Sequence, residues 1–215
     1  EHGYAAWDSW IDYMRWHPGG NQIARVSYRG LAYTTASLYV VLRALGLSIT
    51  LFQLHIIFPV IMGTLTCLVI YFFAKDIGGK EAGLFAALFL ALNASYIGRT
   101  SLGFCDDETI GIFSLLLFSF FFLRSIEKER SLRSGLIYAV AAGLSLGYMC
   151  ISWGASRYPI AMTAIFVFIL ILLRRYSSRL LLSYSVTFSI TFFIAVNMPN
   201  PGIGFLTETF NLSVL

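Results

Sequence analysis

The sequence predicts an all-α fold, a polytopic bundle of membrane-spanning helices, and three observations carry that reading. Hydrophobic residues fill 58% of the 215 positions and charged residues only 12%, about half the charged share usual in soluble domains. Mean hydropathy is +0.75. Six apolar stretches approach or exceed the length a helix needs to cross a bilayer, about 20 residues with roughly 17 tolerated. The five prolines and the lack of low-complexity tracts argue for a single domain over 1–215. The net charge of +4 comes from basic residues in short loops between apolar runs. That pattern orients membrane proteins and argues against nucleic acid as a partner.

The first part, 1–48, reads as an external loop. Its start, "EHGYAAWDSWIDYMRWHPGGNQ", has neither the basic region nor the apolar core of a signal peptide, and the chain lacks an initiator Met and stops at "NLSVL". Both ends read as cuts in a longer protein. Dense Trp and Tyr before Pro18 match an interfacial segment, and His17 and Pro18 mark a turn. The stretch 31–45, "LAYTTASLYVVLRAL", is short, rich in Tyr and Thr and carries Arg43, so it reads as a helix lying on the membrane surface rather than a seventh span. The bundle proper, 49–197, holds six expected spans at about 50–74, 82–98, 109–124, 134–152, 158–173 and 180–197. Residues 198–215 begin the next external loop or span.

Loop charge orients this set. "KDIGGKE" (75–81), "RSIEKERSLRS" (124–134) and "RRYSSR" (174–179) fall on one side and carry nearly all the loop Lys and Arg, which makes that side cytoplasmic. "GRTSLGFCDDE", the turn "SWGASR" and the tail from Asn197 fall on the other. The consecutive acids Asp106, Asp107 and Glu108 therefore sit at the outer mouth of the bundle.

An acid in the first turn of a helix is ordinarily a cap, stabilised by free N–H groups and the helix dipole by about 0.3–1 kcal/mol. Three in a row exceed that need and repel one another unless a cation joins them. Asp106-x-Glu108 offers oxygen ligands suited to Mg²⁺ or Mn²⁺. Because Mg²⁺ usually takes one or two carboxylates and completes its shell with water and substrate phosphate, the cluster points to a phosphate-bearing ligand. Arg99, seven residues before Asp106, either snorkels, pairs with Asp106, or clamps a phosphate or a site carboxylate. Arg157 has the same choices, with snorkelling the simpler one. His55, alone near what reads as the cytoplasmic start of a span, reads as a packed or interfacial residue. Cys67, Cys105 and Cys150 show no metal-ligand spacing and read as small hydrophobes, and Gly111, Gly143 and Gly147 let helices approach closely.

These residues also carry a family resemblance. "YIGRTSLGFCDDETIGIF" resembles the block in the catalytic subunit of oligosaccharyltransferase in which an Arg-Ser/Thr pair precedes Gly-x-x-Asp-x-Glu and an Ile-rich helix. "HGYAAWDSWIDYMRWHPGGN" resembles the family's first external loop, "YRGLAYTTASLY" its Tyr-Pro-Gly-Leu segment, "YMCISWGAS" its Tyr-Met-x-x-x-Trp-Gly-Gly turn and "NMPNPGIGF" its Pro-x-x-Gly-Phe exit from a later span. Five blocks agree in order across essentially the whole chain.

The resemblance implies a membrane enzyme of the C-type glycosyltransferase architecture. Such an enzyme transfers a glycan from a dolichol-linked phosphate or pyrophosphate to the Asn amide of an Asn-x-Ser/Thr sequon at the outer membrane face. Its partners would be the dolichol-linked oligosaccharide, the acceptor polypeptide and the bilayer, and its cofactor Mn²⁺ or Mg²⁺. By matched position, Asp106 is expected to ligate the metal, Glu108 to ligate it or to orient the acceptor amide, and Arg99 to support the site. Asp107 stands where the family often has Asn and receives no role. The family's first essential Asp would lie just upstream of Glu1, and neither Asp8 nor Asp12 is given that role. A later catalytic Glu and a soluble sequon-binding domain would follow Leu215, and Glu208 matches a different acid, so this piece alone is expected to be inactive. The short loops favour an archaeal source, with the enzyme in the cell membrane. A eukaryotic source would place it in the endoplasmic reticulum with the site lumenal. Two rivals are another lipid-phosphate-sugar glycosyltransferase and, from a different class, a cation-coupled secondary transporter, which should carry acids at mid-membrane and related halves.

Overall fold

Polar residues start the long helices where the apolar runs begin. Thr50 forms a capping box with Gln53, and Ser131 and Ser177 accept from the N–H groups of Ser134 and Leu180. The computed structural model of the chain describes Tyr4, residues 6–212 and Val214. Along it run α1 (Ala6–Ser9), α2 (Ile23–Val26), α3 (Gly30–Ala44), α4 (Leu51–Leu92), α5 (Ala94–Thr100), α6 (Asp107–Ile126), α7 (Leu132–Cys150), α8 (Arg157–Leu172), α9 (Ser178–Val196) and α10 (Thr209–Leu212). Short 3₁₀ turns occupy Gly154–Ser156 and Ile203–Thr207. Two antiparallel strands of two residues each, β1 (Ile11–Asp12) and β2 (Asn21–Gln22), close the loop around His17 and Pro18.

Four helical segments among the described residues are long and apolar enough to cross a membrane, not the six expected: α4, α6, Gly154–Leu172 and α9. Two physical reasons account for the difference. First, the expected span 50–74 lies in α4, whose 42 residues fold back at Gly79, and the expected span 82–98 runs from the far part of α4 through Asn93 into α5. Gly79 has φ 85°, a conformation that favours residues lacking Cβ. Beyond it Gly83 lies against the backbone of Tyr71, Thr100 against Gly63, and the Gly103 N–H donates to the Ile56 carbonyl at 2.9 Å. Second, α7 matches the expected span 134–152 within two residues but carries Arg133 and is diluted by Gly and Ser.

That dilution follows from position. α7 is the central helix: Ala139, Ala142, Leu146, Met149 and Cys150 have no exposed surface. Phe118 and Phe122 of α6 and Phe188 and Phe192 of α9 close around it. Gly143 and Gly147 lie against Ile190 and Ile194, and the hydroxyls of Thr187 and Thr191 donate to the carbonyls of Ala139 and Gly143 at 3.1 and 3.3 Å. Small residues and interhelical hydrogen bonds are how apolar helices associate where no hydrophobic effect separates helix from lipid.

The bundle has two distinct ends. At one, Arg124 holds Asp76 through contacts of 2.5 and 3.0 Å, and Arg179 donates to the carbonyls of Glu127 and Arg130 at 2.6 Å each. At the other lie the turn 101–106, the turn 151–156 and the start of α3, where the Gly30 N–H donates to the Ile151 carbonyl at 2.9 Å. His55 adjoins Ile56 and hence belongs to this second end, which corrects its expected place beside the basic loops.

Candidate active site

The acids stand where two helices are tied together. Asn93 caps α5 by accepting from the Tyr96 N–H at 2.9 Å, and Arg99 lies in the last turn of α5. The chain turns through Gly103, at φ 85°, and α6 begins. Asp106 is its N-cap, accepting on Oδ1 from the N–H of Asp107 at 2.8 Å. The Thr109 hydroxyl donates back to the Arg99 carbonyl at 3.3 Å, so one hydrogen bond fixes α5 against the first turn of α6.

The three acids occupy different environments. Asp106 is exposed, while Asp107 and Glu108 are half-buried. Arg99 does not meet Asp106; its Nη1 lies 3.3 Å from Oε1 of Glu108, and its guanidinium sits 5.4 Å from the centre of the Phe104 ring. The other oxygen of Glu108, Oε2, is buried and has no hydrogen-bond partner. A buried carboxylate oxygen left unpaired is costly and calls for a donor or a cation. Burial, reinforced by the charges of Asp106 and Asp107, pushes the neighbouring Cys105 thiol up to about 12.

The surroundings are built by close contacts. Gly111, one turn beyond Glu108, lies against the Trp153 indole, and a Cβ there would overlap the ring. Gly30 abuts Ser152 in the same way. Arg157 does not snorkel as expected: it forks onto Glu208, with Nη2 2.6 Å from Oε1, and donates to the Gly154 carbonyl at 2.9 Å and the Tyr28 hydroxyl at 3.3 Å. Glu208 is thus held in an ion pair. Buried Arg29 pairs with Asp8, which fastens α1 to the start of α3. The sequence reading missed Arg29, although a charged residue directly before a close-packed glycine was an available signal.

Asp106 and Glu108 supply oxygen donors of the kind hard cations take. Among the described residues no group of three His, Cys, Asp or Glu side chains completes a metal site. The described residues thus offer two carboxylates two positions apart, one with an oxygen that has no hydrogen-bond partner.

The family model "Oligosaccharyl transferase STT3, N-terminal" matches residues 1–213. The chain is 34% identical over 199 residues to the dolichyl-diphosphooligosaccharide–protein glycosyltransferase subunit STT3 of Saccharomyces cerevisiae, covering 92% of this chain and 27% of that protein. It is 30% identical over 198 residues to subunit STT3B of Oryza sativa, with the same coverage of each. The chain spans about a quarter of the length of these relatives. Its fold matches that of the Archaeoglobus fulgidus oligosaccharyltransferase in the apo form, with TM-score 0.78 and 22% identity over 95% of this chain and 26% of that one. The same archaeal enzyme has been solved with Zn and sulfate (TM-score 0.76, 23% identity, 95% and 28% coverage) and with an inhibitory peptide and a dolichol-phosphate (TM-score 0.73, 24% identity, 86% and 22% coverage). Both eukaryotic sequences and archaeal structures are similar, so the comparisons support the family without favouring the expected archaeal source. The chain belongs to the STT3 oligosaccharyltransferase family and corresponds to its N-terminal membrane portion.

Proposed function

We propose that the chain provides part of the outer-face active site of an enzyme that transfers a glycan from a dolichol-linked phosphate or pyrophosphate to the Asn amide of Asn-x-Ser/Thr sequons. The observation that carries this reading is the split environment of Glu108, two residues after the exposed Asp106: one oxygen beside Arg99 and the other buried without a partner. An amide nitrogen is a poor nucleophile, so positioning and electrostatics must supply the rate. Glu108 Oε2 accepts an N–H of the acceptor amide or joins Asp106 in holding a divalent cation, Mn²⁺ or Mg²⁺. Arg99 keeps Glu108 oriented. When bound, the cation would offset the negative charge on the departing phosphate. The archaeal relative solved with Zn and the one solved with a dolichol-phosphate support a metal and a lipid-phosphate partner of this kind.

In this reading the acid end faces outside, or the lumen of the endoplasmic reticulum in a eukaryotic source, and the basic end faces the cytoplasm. The remaining ligands and the sequon-binding groups come from parts of the full-length protein outside 1–215. The test is transfer from a dolichol-linked donor to a sequon peptide by the full-length protein with Mn²⁺. Glu108→Gln is expected to lower turnover about 100-fold, whereas Asp107→Asn, at a half-buried side chain given no role in the site, stays within about threefold. Equal effects of the two substitutions would refute the assignment.

A further inference from the structure

The end of the bundle remote from the acids carries the chain's positive charge. Positions 75–81, 124–133 and 174–179 hold nine of the fifteen Lys and Arg and four of the eleven acids, a surplus of five where the whole chain has +4. Two of the four acids are already engaged, Asp76 by Arg124 and Glu127 by Arg130. Arg179, bonded to the carbonyls of Glu127 and Arg130, fastens the start of α9 to the loop between α6 and α7. That junction leaves a cleft of about 260 Å³ lined by Ile126, Lys128, Leu170, Arg175, Ser177 and Leu180.

The cleft has two chemistries. Lys128 and Arg175 are exposed, and neither is in an ion pair among the described residues. The backbone of Arg175 is fixed, its N–H donating to the Leu170 carbonyl at 2.8 Å, so the side chain starts from a defined place at the rim. The wall is apolar: Leu180 is buried, and Ile126 and Leu170 are half-buried. A small soluble anion would pair with the cations and leave the wall wet; a lipid with no net charge would cover the wall and leave the positive surplus unopposed. An amphiphile with an anionic head satisfies both.

We propose that this cleft binds an anionic phospholipid, with Lys128 and Arg175 on its phosphate and its acyl chains along Leu170 and Leu180. The site is separate from the glycosyl-transfer centre and does not depend on that reading. The test is lipid retention by the full-length protein in detergent, followed by native mass spectrometry during titration with phosphatidylglycerol. One retained phosphatidylglycerol is expected, with phosphatidylcholine and water-soluble glycerophosphoglycerol each failing to occupy or compete for the site at the same concentration. Lys128→Gln with Arg175→Gln should weaken retention about 30-fold, roughly fivefold for each charge removed near a membrane surface. Arg175→Lys should keep it. Lys80→Gln with Arg133→Gln, which removes the same charge from the same end outside the cleft, should change it less than about threefold by screening alone. Equal loss in the two double variants, competition by the soluble headgroup, or full retention after loss of Lys128 and Arg175 would overturn the proposal.

Discussion

Arg99 and Glu108 meet across the turn between two helices, Nη1 to Oε1 at 3.3 Å, while the second oxygen of Glu108 is buried with no donor. Half of one carboxylate is therefore held by the protein and half is left for something else. Arg99 is about half exposed, at 49%, so the pair serves orientation more than stability. Arg99→Met is expected to lower transfer by about 10- to 100-fold, the usual effect of losing a group that orients a ligand. Thermal stability should change little, and Arg99→Lys should recover part of the activity. Kinetics and melting curves on the full-length protein separate these outcomes; a large fall in Tm with unchanged turnover would make the contact structural.

Close packing beside the acids makes two glycines sensitive. A Cβ at Gly111 would overlap Trp153, and one at Gly30 would overlap Ser152. Gly111→Ala and Gly30→Ala are each expected to destabilise by about 1–3 kcal/mol, the range for overpacking. Gly46→Ala makes no such contact but has φ 87°, so its smaller loss would come from backbone strain alone. Detergent-solubilised melting curves would show the ordering.

Arg157 and Glu208 lie fifty-one residues apart in sequence and join the start of α8 to the segment after α9. Both side chains are about one-third exposed. A double-mutant cycle with Arg157→Met and Glu208→Gln should show coupling of about 1–2 kcal/mol, within the range for paired neighbours. Coupling indistinguishable from zero would mean the fork adds nothing to stability.

Cys105 should be a slow thiol. With its pKa pushed up to about 12 by burial and by Asp106 and Asp107, its thiolate is scarce at neutral pH, and alkylation should climb about tenfold per pH unit from 7 to 10. An ordinary cysteine levels off above about pH 9. At pH 8 the rate should be about 50-fold below that of such a cysteine, scarcity outweighing the higher intrinsic nucleophilicity. A Cys67→Ala, Cys150→Ala background isolates the site, and a plateau by pH 9 would show a normal thiol.

The apolar runs made much of the fold legible: α6, α8 and α9 begin and end within two residues of the expected spans, because their length and composition must match lipid. α7 was located equally well, yet it falls outside the four spans because Arg133 and its Gly and Ser lower its hydropathy, and Gly143 and Gly147 serve close contact with α9. The back-fold at Gly79 was readable as the loop "KDIGGKE", whereas its tightness, with the backbone leaving the helix at a single glycine, depends on a dihedral that hydropathy does not record. Of the candidate site residues, Asp106, Glu108 and Arg99 were proposed from motif and charge, and they lie on adjoining helix ends. Arg99 was weighed against Asp106, but Asp106 as N-cap accepts from its own helix and the partner is Glu108. Asp8–Arg29 and Arg157–Glu208 join distant segments, and such pairs leave no periodic trace in a single sequence.

The most direct measurement is metal-dependent transfer to a sequon peptide by the full-length protein, wild type against Asp106→Ala, across a Mn²⁺ titration. Asp106 as a ligand should make the variant at least about 100-fold slower and shift the Mn²⁺ requirement upward. Turnover within a few-fold of wild type, with an unchanged Mn²⁺ dependence, would contradict the assignment of these acids to a metal-assisted glycosyl-transfer site.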